Sequence, residues 1–231
     1  MAENVNSVTR AFRELRELIV QGNLAPGGWV VESELAERLG LSRTPIRGAL
    51  DWLRREGYIV EQSGKRRARI IVAPLTHDDA RELYSIIGNL EALAGSHIAA
   101  LPARSRAALA DTLASINREL AGVGRGGRKI DPRRVFDIDK RFHTTIIEAG
   151  AGRRLAALHA SVRPQVERYW RLYATSILND LGQSVAEHHE IVESIRKGDQ
   201  SAVQRALNQN WNGGFERIRG LIEMFGERGS W

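Results

Sequence analysis

The sequence predicts a mostly α-helical protein in two parts: three short helices closed by a β-hairpin, then an all-helical bundle of six or seven helices. Three observations predict it. Apolar residues recur every three or four positions through most of the chain, the period of amphipathic helices. Two β-branched runs of strand length, Tyr58-Ile59-Val60 and Ile70-Ile71-Val72, interrupt that pattern once. From Thr76 onward the pattern is helical throughout, so Ala73-Pro74-Leu75 reads as a linker between domains at residues 1–73 and 76–231.

The elements follow in order. Val8, Phe12, Leu15 and Ile19 form one stripe of a first helix over residues 8–21, which the run from Asn23 to Gly28 breaks. A second helix spans 33–39, with Ser33 as N-cap and Gly40 as terminator. Thr44 is expected to cap a third helix, with Pro45 in its first turn, Ile46, Leu50 and Leu53 inward, and Gly57 at its end. The polar segment between the strands, centred on Ser63-Gly64-Lys65-Arg66-Arg67, makes a hairpin with a basic tip. Helices are then expected at 76–100, 104–121, 132–149, 153–178, 185–197 and 200–225. Thr76 with Asp79 and Ser184 with Glu187 have capping-box spacing. Asp131-Pro132 supplies an N-cap and an N1 proline, and Gly198-Asp199 ends one helix and caps the next. Pro164 is expected to kink the long helix that contains it.

Composition narrows the function. Of 231 residues, 42% are hydrophobic and 27% charged, the balance of an ordinary folded domain. The absence of cysteine excludes disulfides, thiolate chemistry and Cys-built zinc sites, so any metal site needs His and carboxylates. No apolar run reaches the roughly 20 residues of a membrane span. The polar N-terminus lacks a secretory apolar segment, which makes the cytoplasm the expected compartment.

The net charge is +6, and most of the excess is local. Arg43, Arg47, Arg54, Arg55, Lys65, Arg66, Arg67 and Arg69 face only Asp51, Glu56 and Glu61. A charge run usually does no more than solvate a surface. Here it coincides with three helices and a two-stranded wing, a winged helix-turn-helix, whose third helix is shaped to enter a DNA major groove. Arg43, Thr44 and Arg47 lie at the start of that helix, where an arginine can make two hydrogen bonds to a guanine edge. The wing brings Lys65, Arg66 and Arg67 to the phosphate backbone or minor groove, with Gly64 permitting close approach. The runs Leu24-Ala25-Pro26-Gly27, Glu34 through Leu50, and Leu53-Arg54-Arg55-Glu56-Gly57-Tyr58 resemble the N-terminal signature of the GntR family of bacterial regulators. The resemblance implies a homodimer on a palindromic operator, with Arg43, Thr44 and Arg47 in the major groove and Gly64 in the minor groove. Some members carry an Arg at the position of Ser33.

In the helical half, Asp139 and His143 are spaced i, i+4 beside Val135, Phe142 and Ile146, so carboxylate and imidazole point together at a core. His188 falls on an inward face with Ile191 and Ile195. The three could bind a divalent ion, although an inward His is more often a hydrogen-bonded core residue. His189 faces away, and His77, His97 and His159 show no obvious partner. Asp139-Lys140-Arg141-Phe142-His143 resembles the Asp-x-x-Phe-His motif of the FCD effector domain of FadR-like regulators. Glu187-His188-His189-Glu190-Ile191 with Gly198-Asp199 resembles its second motif, and Leu83-Tyr84 with Leu90-Glu91 its first helix. That resemblance implies a ligand pocket floored by a metal, often zinc, on Asp139, His143 and His188. The family's third histidine falls on Asn210, which leaves two alternatives. Three strong ligands can hold the ion with Asn210 or water completing its shell. Alternatively, the pocket is metal-free, with His143, His188 and Asn210 hydrogen-bonding the effector. Ile87 stands where related domains often place an arginine clamp, so Arg141, Arg163, Arg168 and Arg171 are candidate replacements, with Arg141 and Arg163 taken as ligand-binding.

The expected protein is therefore a ligand-responsive, DNA-binding transcriptional repressor and not an enzyme. Its expected partners are double-stranded operator DNA, a small carboxylate effector and a second copy of itself, with no membrane. The rival is a metal-dependent hydrolase using Asp139, His143 and His188; no placed general base supports it.

Overall fold

The computed structural model describes residues 2–62, 68–123, 130–177 and 181–229. In the N-terminal head, α1 (Ala2–Val20), α2 (Glu32–Leu39) and α3 (Arg43–Arg55) enclose a core that includes Ala11, Leu15, Ile19, Ile46, Leu50 and Leu53. α1 starts ahead of residue 8, where the apolar spacing begins. Gly40 ends α2 in the left-handed conformation, at φ +62°, and its N–H bonds the carbonyls of Ala36 and Glu37.

Two expected caps are corrected. α2 starts at Glu32 with Val31 in the cap position, so Ser33 lies inside the first turn. α3 starts at Arg43 with Ser42 in the cap position and no side-chain cap bond, so Thr44 is likewise inside its helix. For α3 the physical reason is Gly40: it already reverses the chain, so residues 41 and 42 suffice as connection. β1 (Ile59–Gln62) and β2 (Arg69–Val72) pair antiparallel, Ile59 opposite Val72 and Gln62 opposite Arg69. Trp29 adds a bridge to Ile71. The wing tip, with Gly64, Lys65, Arg66 and Arg67, lies outside the described residues.

The body holds α4 (His77–Ala99), α5 (Ala103–Gly122), α6 (Pro132–Gly150), α7 (Arg153–Ile177), α8 (Leu181–Lys197) and α9 (Gln200–Phe225). α4 lies along α9, α5 along α8, and α6 and α7 close on α4. Gly95 allows the α4–α9 approach: a Cβ there would sit 2.5 Å from Leu207 Cδ1 and 2.6 Å from Val203 Cγ1. Thr76, Asp131 and Asp199 cap their helices as their positions predict. Asp79 does not complete a reciprocal box, because its carboxylate takes the Tyr169 hydroxyl at 2.6 Å. Ser184 is not a cap either: α8 begins at Leu181, and Glu187 is engaged by Arg217 and Asn210. α7 stays helical through Pro164. Head and body meet through Gln165 on the Glu56 carbonyl and Arg168 on the Ala73 carbonyl. Among the described residues, no helix is long and apolar enough to cross a membrane.

Candidate nucleic-acid interface and ligand cavity

The amphipathic pattern of α3 decides what it offers outward. Pro45, Ile46, Ala49, Leu50 and Leu53 bury one face, which leaves Arg43, Thr44 and Arg47 exposed at its N-terminal end. Arg47 is already oriented: its Nε and Nη2 donate to the Glu32 carboxylate at 3.2 and 2.9 Å. That hydrogen bonding, with the charge of Arg47, holds the Glu32 carboxyl below its usual range despite some desolvation. The pair spans 15 residues, so no helix-spacing argument finds it. On the wing, the Arg69 guanidinium lies 4.0 Å over the exposed ring of Trp29.

In the body, α6 contributes Asp139 and His143 and α8 contributes His188. The Nε2 atoms of His143 and His188 lie 3.9 and 3.6 Å from Asp139 Oδ1. Candidate ligand atoms of the three residues all lie within 4.8 Å of one another. His188 is fully buried and stacked on Phe142, rings 3.9 Å apart and 5° from parallel. Burial pushes its imidazole down to about 3, so it is neutral at ordinary pH. Neither of its ring nitrogens has a hydrogen-bond partner among the described residues. His143 is oriented from behind, with Nδ1 at 2.6 Å from Glu91 Oε2. A carboxylate there fixes the proton on Nδ1 and leaves the Nε2 lone pair facing Asp139, the usual support of a metal-binding imidazole. Two imidazoles and a carboxylate, one imidazole without a hydrogen bond among the described residues, form a donor set that fits a divalent ion with N/O ligands.

Glu91 is the hub that periodicity does not reveal. It lies at 0% exposure and accepts from Trp211 Nε1 at 2.9 Å. It also meets His159 Nε2 at 3.0 Å, which corrects the expectation that His159 has no partner. His97 Nδ1 similarly meets the Gly150 carbonyl at 2.9 Å, and His77 packs edge-on against Phe215. Burial alone would push the Glu91 carboxyl up; His143, His159 and Arg163 reverse this and hold it far below the carboxylate range.

Beside this cluster lies a cavity of about 60 Å³, lined among others by Asp139, His143, Arg163, Asn210, Trp211 and Arg217. Arg163 is buried, and three carboxylates surround it without reaching hydrogen-bond distance: Glu91 and Asp139 at 3.8 Å, Glu167 at 3.6 Å. Its Nη1 makes no hydrogen bond among the described residues. Asn210 donates Nδ2 to Glu187 Oε2 at 2.9 Å, and both Arg217 terminal nitrogens grip the same carboxylate at 3.1 Å. Arg141 is corrected: it is half-exposed and pairs with Glu119 on the surface. Two residues from both Asp139 and His143, it is carried by the helical turn to the other side of α6.

The model for "Bacterial regulatory proteins, gntR family" matches residues 8–67, and that for "FCD domain" matches residues 82–212. An HTH-type transcriptional regulator from an unstable DNA locus of Streptomyces ambofaciens is 28% identical over 90% of this chain and 84% of its own length. The gluconate operon transcriptional repressor of Bacillus licheniformis is 23% identical over 93% of this chain and 84% of its own. Among solved structures, E. coli McbR/YncC superposes with TM-score 0.68 at 16% identity, covering 94% of this chain and 98% of that one. A transcriptional regulator GntR from Rhodococcus sp. RHA1 gives 0.65 at 21%, covering 92% and 97%. Both likenesses concern the fold.

Proposed function

Since the chain belongs to the GntR family of bacterial regulators and carries an FCD domain, we propose that it is a ligand-responsive transcriptional repressor that binds a palindromic operator as a homodimer. The observation that carries the reading is a separation of roles: exposed Arg43, Thr44 and Arg47 stand at the tip of α3, while convergent polar groups are sunk in a cavity of another domain. The first are built to meet base edges, which lie outside the protein. The second can only meet something small enough to enter. Gly64, Lys65, Arg66 and Arg67 extend the contact along the phosphates.

For dimerisation, α4 leaves Ile86 and Leu93, seven apart, exposed on one face, and Leu158 is exposed on the neighbouring α7. These apolar residues suit a second copy. The names of the gluconate repressor and of a probable D-xylose utilization operon repressor support repression as the mode. A DNA partner fits a cytoplasmic location.

In the cavity, Asp139, His143 and His188 would hold a divalent ion, zinc by preference for this donor set, and the ion would supply a Lewis-acidic contact for a carboxylate effector. Arg163, whose Nη1 makes no hydrogen bond among the described residues, would take the carboxylate's charge, and Asn210 would orient the rest of the molecule. Occupancy regulates by population shift. A ligand that prefers one helix arrangement by some kcal/mol re-spaces the two heads, and heads must match half-sites one helical turn apart.

Fluorescence anisotropy on DNA flanking the protein's own gene, titrated with small carboxylates, tests this reading. Elemental analysis of the purified protein accompanies it. Asp139→Ala is expected to lower metal content and abolish the ligand response while leaving DNA binding of the free protein intact. Unchanged metal and an unchanged response would remove Asp139 from the site.

A further inference from the structure

Away from the histidine cavity, two arginines with buried nitrogens that lack an acceptor among the described residues lie together in the cleft where α7 faces the end of α1. A chamber of about 60 Å³ lies there, walled by residues 19–22, Leu75, Arg168 and Arg171. Arg168 is 3% exposed. Its Nη2 donates to the Ala73 carbonyl in the linker, while its Nε and Nη1 find no acceptor among the described residues. Arg171 has a buried Nε in the same condition, and its guanidinium lies 4.6 Å over the Phe136 ring.

Neither arginine has an ion-pair partner among the described residues. Asp79 is near enough for its charge to act on Arg168, but its carboxylate takes the Tyr169 hydroxyl. Asp131, Asp137 and Arg133 line the wider groove into which Arg171 also opens, not the chamber itself. The C-terminal end of α1 brings partial negative charge, yet three carbonyls of its final turn are occupied. Glu17 O is taken by Gln21 N–H, Leu18 O by Leu24 N–H, and Ile19 O by Gly22 N–H.

A guanidinium cannot discharge to escape burial. Three nitrogens without an acceptor, on the two arginines that wall one small chamber, call for a compact acceptor carrying negative charge and several oxygens. We propose that this cleft is a second ligand site, for a small oxyanion such as a phosphate or carboxylate group, held by Arg168 and Arg171. Because Arg168 also bonds the linker and the opposite wall is α1, an occupant touches head and body at once. It restrains the joint between them.

Calorimetry on the full chain tests the site, with inorganic phosphate and acetate titrated separately at constant ionic strength. Saturable binding at one site per chain is expected. Arg168→Met and the more exposed Arg171→Met should each weaken it at least about tenfold, a loss that corresponds to one charge-assisted bond. Asp139→Ala and Arg47→Ala should leave it unchanged, which separates this site from the histidine cavity and from the DNA surface. Binding of phosphate alone assigns the group as phosphoryl, and binding of acetate alone as carboxylate. No saturable binding of either anion, or unchanged affinity in both arginine variants, overturns the proposal.

Discussion

Head and body use charge in opposite ways. In the head, Arg43 and Arg47 stand in solvent on a face the core does not use, and the partner of Arg47, Glu32, is half-exposed. In the body, Glu91, His143, His188 and Arg163 are nearly or wholly excluded from water and depend on one another. A surface cation is cheap to keep, so it is free to await a partner. A buried carboxylate is tolerable only when donors surround it, so its function and the stability of the fold cannot be separated. Substitutions should therefore split: head variants lose binding and keep the fold, while removal of the fully buried carboxylate that the body's network depends on loses both.

The largest effect is expected at Glu91. Its replacement by Ala strands the donors of His143, His159 and Trp211 in the interior. Urea unfolding should register a loss of about 3–5 kcal/mol, the usual consequence of removing one partner from a buried charged network. Metal content should fall with it, because His143 loses the group that fixes its proton. A loss below about 1 kcal/mol, the range of exposed pairs, would break the comparison.

Arg47→Ala comes next and should behave in the opposite manner. The unfolding midpoint is expected to stay put, since Arg47 packs against nothing in the core. Operator affinity should fall about tenfold to a hundredfold, and discrimination among operator variants should relax. An equal loss on every duplex sequence would reduce Arg47 to a phosphate contact.

The same contrast explains what could be read from the chain before its structure. The head is governed by local rules: Gly40 and Gly57 stop helices, Ile46, Leu50 and Leu53 mark an inward face, and the outward residues follow by elimination. Asp139 and His143 were legible for the same reason, being one helical turn apart. Glu91 was not. Its partners lie 52, 68 and 120 residues away, and no periodicity links positions on α4, α6, α7 and α9. The surface position of Arg141 was local in origin and could have been read from its two-residue offset from Asp139 and His143. The helix-start errors at Ser33 and Thr44 have a smaller cause: both are good caps, but backbone geometry placed each cap position two residues earlier, at Val31 and Ser42.

The smallest effect, and the sharpest test of the head, concerns Glu32. Its carboxylate binds the Nε and Nη2 edge of Arg47, which leaves the edge formed by Nη1 and Nη2 free to face a guanine. Glu32 is therefore a positioning residue, and Glu32→Gln should weaken operator binding by less than about threefold, as befits an exposed pair. Stability should show a matching pH signature. The folded-state pKa of Glu32 is depressed, so its contribution is present above the unfolded carboxyl value and is lost as pH falls through the folded one. Wild type and Glu32→Gln should thus converge in stability at acid pH and separate slightly above it. Tighter operator binding by Glu32→Gln would instead mean that the carboxylate sequesters Arg47 and that DNA must displace it.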